Sequence, residues 1–172
     1  MTRRFQTASL IAVAGAALTA TPALAVGPNQ NATATARIVK PLTLSWVQDL
    51  DLGTIVLSGA GAWSGANVSM TNAGIFTCSN ANVTCSGATQ PAKYKVTGTN
   101  NQVVTISAPN VTLTNQNDGV STLTLTTNSP GTINLGNSGS TGSTFGVGGS
   151  ITVASTTPDG TYRGTFNVTV DY

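Results

Sequence analysis

The sequence predicts an all-β fold, an immunoglobulin-like sandwich of two sheets, and three observations carry that prediction. Beyond residue 25, apolar side chains recur with a period of two, the mark of half-buried strands, and no helical period stands out. Gly, Asn and Pro turns divide this stretch into roughly ten short segments, the spacing of a sandwich. Charged residues make up only 7% of the chain, and Asn, Thr, Ser and Gly fill the polar positions. Disorder is the competing reading of such a composition, but 40% hydrophobic residues argue against it.

The elements follow in chain order. Ala32, Ala34, Ala36 and Ile38 alternate with Thr33, Thr35 and Arg37 until Pro41 interrupts the ladder. Leu42, Leu44 and Trp46 alternate again, and Gly53 to Leu57 is a short strand leading into the turn Ser58 to Gly61. Val68 and Met70 begin another strand, closed by Asn72-Ala73-Gly74. Tyr94, Val96 and Gly98 share one face of a strand, Asn100-Asn101 makes a turn, and Val104 and Ile106 share the next face. Val111 and Leu113 precede the turn Asn117-Asp118-Gly119, and Leu123 and Leu125 lie on a strand over 120–127 that ends near Ser129-Pro130-Gly131. The Gly- and Ser-rich stretch Gly136 to Gly149 is expected to be a long loop around Phe145, followed by a strand with Ile151 and Val153. After the turn Pro158-Asp159-Gly160 the last strand, 161–172, has the clearest pattern. Tyr162, Phe166, Val168, Val170 and Tyr172 line one face, with Gly164 among them, and Thr165, Asn167, Thr169 and Asp171 line the other.

Residues 1–25 read as a cleaved secretory signal peptide. Arg3 and Arg4 form the positive start, Leu10 to Ala20 the apolar region, and Pro22 to Ala25 the small-residue cleavage site. The apolar run is too short and too rich in small residues for a stable transmembrane span. Arg3-Arg4 is similar to a twin-arginine signal, but a Sec signal fits better, and the compact site favours bacterial export to the periplasm, the cell surface or the medium. Cleavage leaves 26–172 as a single domain with one core. It retains five basic residues (Arg37, Lys40, Lys93, Lys95, Arg163) and five acidic ones (Asp49, Asp51, Asp118, Asp159, Asp171), so its net charge is zero. Nucleic-acid binding needs clustered Lys and Arg and is not expected. A neutral surface resists self-association poorly, which suits a protein built to polymerise.

The side chains that catalysis requires are scarce. The chain has no His and no Glu, so acid–base chemistry would fall to the five Asp. Asp49 and Asp51 are the close pair, and on a strand they would share a face; a solvated edge with Leu50 and Leu52 turned inward is the favoured reading. A weak calcium site at that pair lacks a ligand-dense loop. No Gly-x-Ser-x-Gly elbow or phosphate-binding lysine loop occurs. The sequence therefore predicts no enzyme, no catalytic residue, no metal and no cofactor. Cys78 and Cys85, the two cysteines, are expected to form a disulfide in an oxidising compartment. Sequons at Asn31, Asn67, Asn82, Asn110 and Asn167 reflect Asn/Thr-rich strands in a bacterial export. Trp46, Trp63, Tyr94 and Tyr162 could build a carbohydrate platform, although core packing is favoured for most of them. Trp63, among glycines in the loop Gly59 to Gly65, is the candidate ligand contact.

The order of Ala32 to Leu44, Asp49-Leu-Asp-Leu-Gly-Thr-Ile-Val56, Tyr94-Lys-Val-Thr-Gly98 and Gly160 to Tyr172 resembles the DUF4402 family of exported bacterial proteins. The ending is also similar to the C-terminal strand of chaperone–usher pilins of the spore coat U-like type. Gly160, Phe166, Val168, Val170 and Tyr172 occupy that pattern, although the aromatic here is the last residue and not the penultimate one. The resemblance implies a pilin-like sandwich lacking a strand, a structural subunit of a surface fibre, and a groove filled by the N-terminal segment of the next subunit. Its implied partners are copies of itself or related subunits, a periplasmic chaperone and an outer-membrane usher. Asn29 to Val39, with Ala32, Ala34, Ala36 and Ile38 as small knobs, is the candidate donor strand; equally, it could be the first strand of its own sandwich. The alternatives are a glycan-binding adhesive module anchored by Trp63 and a self-complemented monomeric envelope protein.

Overall fold

The structure is a computed structural model and describes residues 27–59, 61–137 and 141–172. The signal-peptide reading of residues 1–25 lies outside the described residues. The chain divides into two units, Met1–Ala36 and Arg37–Tyr172. In the first, residues 27–36 form no strand and are exposed.

The second unit is all-β. Its strands are β1 (Thr43–Gln48), β2 (Thr54–Leu57), β3 (Ala66–Met70), β4 (Phe76–Thr77), β5 (Val83–Ser86), β6 (Ala92–Thr97) and β7 (Val103–Ser107). These are followed by β8 (Val111–Asn115), β9 (Thr122–Asn128), β10 (Thr132–Asn134), β11 (Ser143–Val153), β12 (Tyr162–Arg163) and β13 (Thr169–Asp171). No helix occurs among the described residues, and every strand pair is antiparallel. An eight-stranded sheet runs β1-β6-β11-β9-β8-β12, with β3 and β4 attached through β11; β10-β7-β13 and β2-β5 form two smaller sheets.

Alternation places the core as expected. Val104 and Ile106 on β7 are buried while Val103, Thr105 and Ser107 are exposed, and Val68 and Met70 on β3 are buried around half-buried Ser69. One cluster gathers Ala92, Val96, Val104, Ile106, Leu135, Phe145 and Val147. A second gathers Ala66, Val68, Val83, Leu125, Ile151 and Val153, and Leu50 and Phe166 pack against both. Each Val, Leu, Ile or Phe side chain among them taken out of water stabilises the fold by about 1.5–3 kcal/mol, as an upper bound. Turns sit where the polar clusters placed them. Asn101 takes a positive φ of 58° at the Asn100-Asn101 turn. Asp118 caps the next turn by accepting from the Val120 and Ser121 amides and the Ser121 hydroxyl, and the serine bond is the main cause of its lowered pKa.

Two expectations fail. Gly136 to Gly149 is not a loop throughout, because β11 starts at Ser143 and buries Phe145 and Val147. Its first half pairs with β6, and its second half pairs with β3 on one side and β9 on the other. The glycines permit this crossing: a Cβ on Gly146 or Gly148 would lie 2.1 Å from the carbonyl oxygen of Asn72 or Met70, and one on Gly149 would strike Leu125. Second, residues 161–172 are not one strand. β12 pairs with β8 in the large sheet and β13 with β7 in a small one, so the chain changes sheets across 164–168 and keeps its alternation without a ladder there. The alternating stretch Ala32 to Ile38, read equally as a donor strand or as a first strand, is in no strand of the described fold. β4 and β10, at two and three residues, are too short to show a period.

Gly148→Val should cost about 3 kcal/mol or more, since the new side chain meets backbone that cannot move aside. Thermal unfolding of the variant would show a large fall in Tm, whereas Gly59→Ala, with nothing within 4 Å, should leave Tm nearly unchanged.

Candidate functional site

The residues singled out by sequence cluster unequally. Phe166, Val168 and Val170 pack half-buried against the first core cluster. Gly160 lies elsewhere, at φ 141°, against buried Asn115. The Asn115 amide donates to the Asp159 carbonyl (2.9 Å) and its oxygen accepts from the Asn117 amide (2.9 Å), so it staples the β8–β9 hairpin to the turn before β12. Tyr162 donates to the Pro158 carbonyl at 2.8 Å and stabilises the same turn.

Tyr172 ends the C-terminal segment in a clamp. Its hydroxyl donates to the Lys40 carbonyl (2.5 Å) and accepts from the Thr99 amide (2.8 Å), and the Lys40 amide donates to Thr99 Oγ1 (2.6 Å). Gly98 makes room for this, since a Cβ there would sit 2.7 Å from both the Tyr172 hydroxyl and Leu42. The clamp therefore joins the chain just before β1, the end of β6 and the end of β13. Arg37 and Val39 run on past Tyr172 and line an open groove of about 560 Å³ with Asn101, Gln102 and Val103. Ile38 in that stretch is 92% exposed.

β1 forms one end of the large sheet, with β6 as its partner. Leu44 stands opposite Val96, Trp46 opposite Tyr94, and Tyr94 opposite Phe145, with which it stacks at 5.8 Å between ring centres. Residues directly opposite share a face, so Leu44 and Trp46 lie on the same face as buried Val96 and Phe145. They are nevertheless exposed, Trp46 by 63%. The Trp46 indole N–H donates to Asp49 at 2.9 Å. Burial, and then the Asp49 charge, push the Tyr94 phenol above its usual range.

The Asp49–Asp51 pair does not form a shared site. β1 has ended at Gln48, Asp49 serves Trp46, and Asp51 accepts from the Gly53 amide at 2.8 Å. Cys78 and Cys85 are disulfide-bonded, with a Cα–Cα separation of 6.2 Å. The bond ties the chain after β4 to β5 and so joins the β2–β5 sheet to the large sheet through β3. Among the described residues, no group of three or more His, Cys, Asp or Glu could hold a metal, and no helix is long and apolar enough to cross a membrane.

Trp63 is a rim residue of the second cluster. Its indole N–H donates to the Ser58 carbonyl (3.2 Å), and its backbone exchanges bonds with Ser155. The sequence singled out Trp63 as the candidate ligand contact and placed Trp46 only among four aromatics of a carbohydrate platform, with core packing favoured for most of them. The available signal was the place of Trp46 on the first paired strand, which has one partner, β6, among the described residues. Trp63→Ala should lower stability by about 2 kcal/mol, less than for a fully buried tryptophan. An unchanged Tm would mean that the indole contributes nothing to the rim.

No curated protein and no solved structure matches the chain. Residues 42–172, from the residue before β1 to the tyrosine of the clamp, match the model of a domain of unknown function, DUF4402, and the chain belongs to that family.

Proposed function

We propose that this protein is a non-catalytic structural subunit of a bacterial surface fibre, assembled by donation of the segment Asn29 to Val39 to a neighbouring copy. In this reading the two core clusters and the sheets around them form an immunoglobulin-like, pilin-like sandwich. The protein reaches the envelope or cell surface by its signal peptide. A periplasmic chaperone and an outer-membrane usher are the partners that the pilin-like ending suggests.

One observation carries the proposal. Ala32, Ala34, Ala36 and Ile38 have the strict alternation and small knobs of a strand, yet the segment is in no strand and is exposed along its length. An isolated strand has nothing to bury its apolar face against or to satisfy its backbone, so the pattern has a use only where another sheet supplies the edge. The half-buried Phe166, Val168 and Val170 offer an apolar wall, and the neutral surface opposes close packing of copies very little.

Mature protein taken from the envelope without heating should run as a ladder of multimers that collapses on boiling in detergent. Deleting 29–39, or introducing a buried charge by Ala34→Asp, should abolish the ladder. A heat-insensitive monomer with its own N-terminus in place would contradict the proposal and favour a self-complemented envelope protein.

A further inference from the structure

The large sheet has an outer face of one chemical kind around β3, β9 and the second half of β11. Val68, Leu125 and Ile151 turn into the second core cluster, so by alternation their neighbours turn outward. The register sets Thr126, Ser150, Ser69 and Thr77 directly opposite one another, in a row across β9, β11, β3 and β4. Thr152 stands opposite Asn67 in the next row, and between β8 and β9 Thr112 pairs with Thr124 and Thr114 with Thr122. No charged and no large apolar side chain stands outward on β3, β8, β9 or 148–153. The first row is not flat. Where it crosses β11 it dips into a notch of about 230 Å³, with Ser150 between Thr126 on one wall and Ser69 on the other. One end is closed where the chain over 71–72 crosses Gly148, held by the Asn72 amide donating to Asn128 Oδ1 at 2.8 Å. Thr126 is exposed, while Ser69 and Ser150 are half-buried. None of these three hydroxyls has a hydrogen bond to another described residue.

We infer that this notch is a subsite for one ring of a neutral glycan, gripped by the hydroxyls of Thr126, Ser150 and Ser69. The inference goes beyond strand donation and does not rest on it. Other ligand classes lack what they need here. A phosphate or an acidic sugar is recognised by Lys or Arg, and no cation lines the notch. A protein partner is recognised by aromatic and large apolar anchors, with serine depleted, and this face reverses that composition. A neutral sugar matches it. Its hydroxyls donate and accept as those of the row do, so each can be met in either sense and none is left unpaired when water is displaced. Adjacent strands place successive hydroxyls of the row about 4.8 Å apart, within the span of one ring. Threonine is β-branched and has little rotamer freedom to lose on binding. Pockets for drug-sized ligands run from about 300 to 1,000 Å³, so this smaller notch takes a single ring and leaves the rest of a chain on the surface.

NMR titration of mature protein carrying Ala34→Asp, which keeps the notch whether or not strands are exchanged, tests the inference. The probes are neutral hexose oligomers of gluco, manno and galacto configuration, with an oligogalacturonate as the charged counterpart. At least one neutral oligomer should shift amide signals of 69–72, 126–128 and 148–150, and the oligogalacturonate should bind no more tightly. Adding Thr126→Val and Ser150→Ala, which remove two outward hydroxyls and leave the core untouched, should weaken that binding about tenfold or more. Thr114→Val, on the same face but outside the notch, should leave it unchanged. No shift with any neutral oligomer, shifts confined to the surroundings of Trp46 or Trp63, or equal affinity after the double substitution would overturn the site. Tighter binding of the oligogalacturonate would overturn its assignment to neutral sugars. Each of these outcomes leaves strand donation untouched, because the multimer ladder is read separately.

Discussion

A sheet strand that turns apolar side chains toward a core needs cover on that face and a hydrogen-bonding partner on each edge. Among the described residues β1 has neither along its outer side. The row Phe145, Tyr94, Trp46 passes from buried through half-buried to mostly exposed within three adjacent strands. The small sheet ends at β13 before it can cover the last member of that row. Most of what the molecule offers a partner follows from this mismatch, including the half-buried C-terminal wall and the clamp that fixes where the opening begins. Water can satisfy the polar edge, but it cannot offset the exposed apolar face.

The rest of the fold holds that flank in place. β11 is shared by both core clusters, and its glycines let the chain over 70–72 pass directly across its backbone. The bend tolerated there allows one strand to pair with β6 and then with β3 and β9. Cross-links at the periphery do the remaining work. The disulfide ties the β2–β5 sheet to the β3–β4 edge, and Asn115 staples a hairpin tip to the turn before β12. Tyr172 acts in the same way, joining the end of the chain to Lys40 ahead of β1.

Much of this was legible as alternation. The period of two located β3, β6, β7, β8 and β9, each with a wetter and a drier face over at least five residues, and it located β1 through the alternation of Leu44 and Trp46, although that strand is exposed from Thr43 to Val47. Asn, Asp and Gly pairs located the turns for a local reason, their tolerance of positive φ. The failures share a cause. Gly146, Gly148 and Gly149 signal a loop by composition, yet here glycine serves close approach between backbones, which a single sequence cannot distinguish from flexibility. Residues 161–172 alternate without a break while pairing first with β8 and then with β7, and periodicity carries no information about which sheet is the partner. The same limit hid the difference between the tryptophans: Trp46 and Trp63 are the same residue type, and their places in the fold leave one mostly exposed and pack the other on the rim of the second cluster.

The central claim is that the flank is open in a lone subunit and filled in an assembled one. Backbone amide hydrogen exchange over 43–48 and 166–171, followed in monomer and in multimer, tests it most directly. The account predicts fast exchange at both edges in the monomer and strong protection of both together in the multimer, with β6 and β7 protected throughout. Protection of both edges already complete in the monomer, or unchanged on assembly, would contradict it.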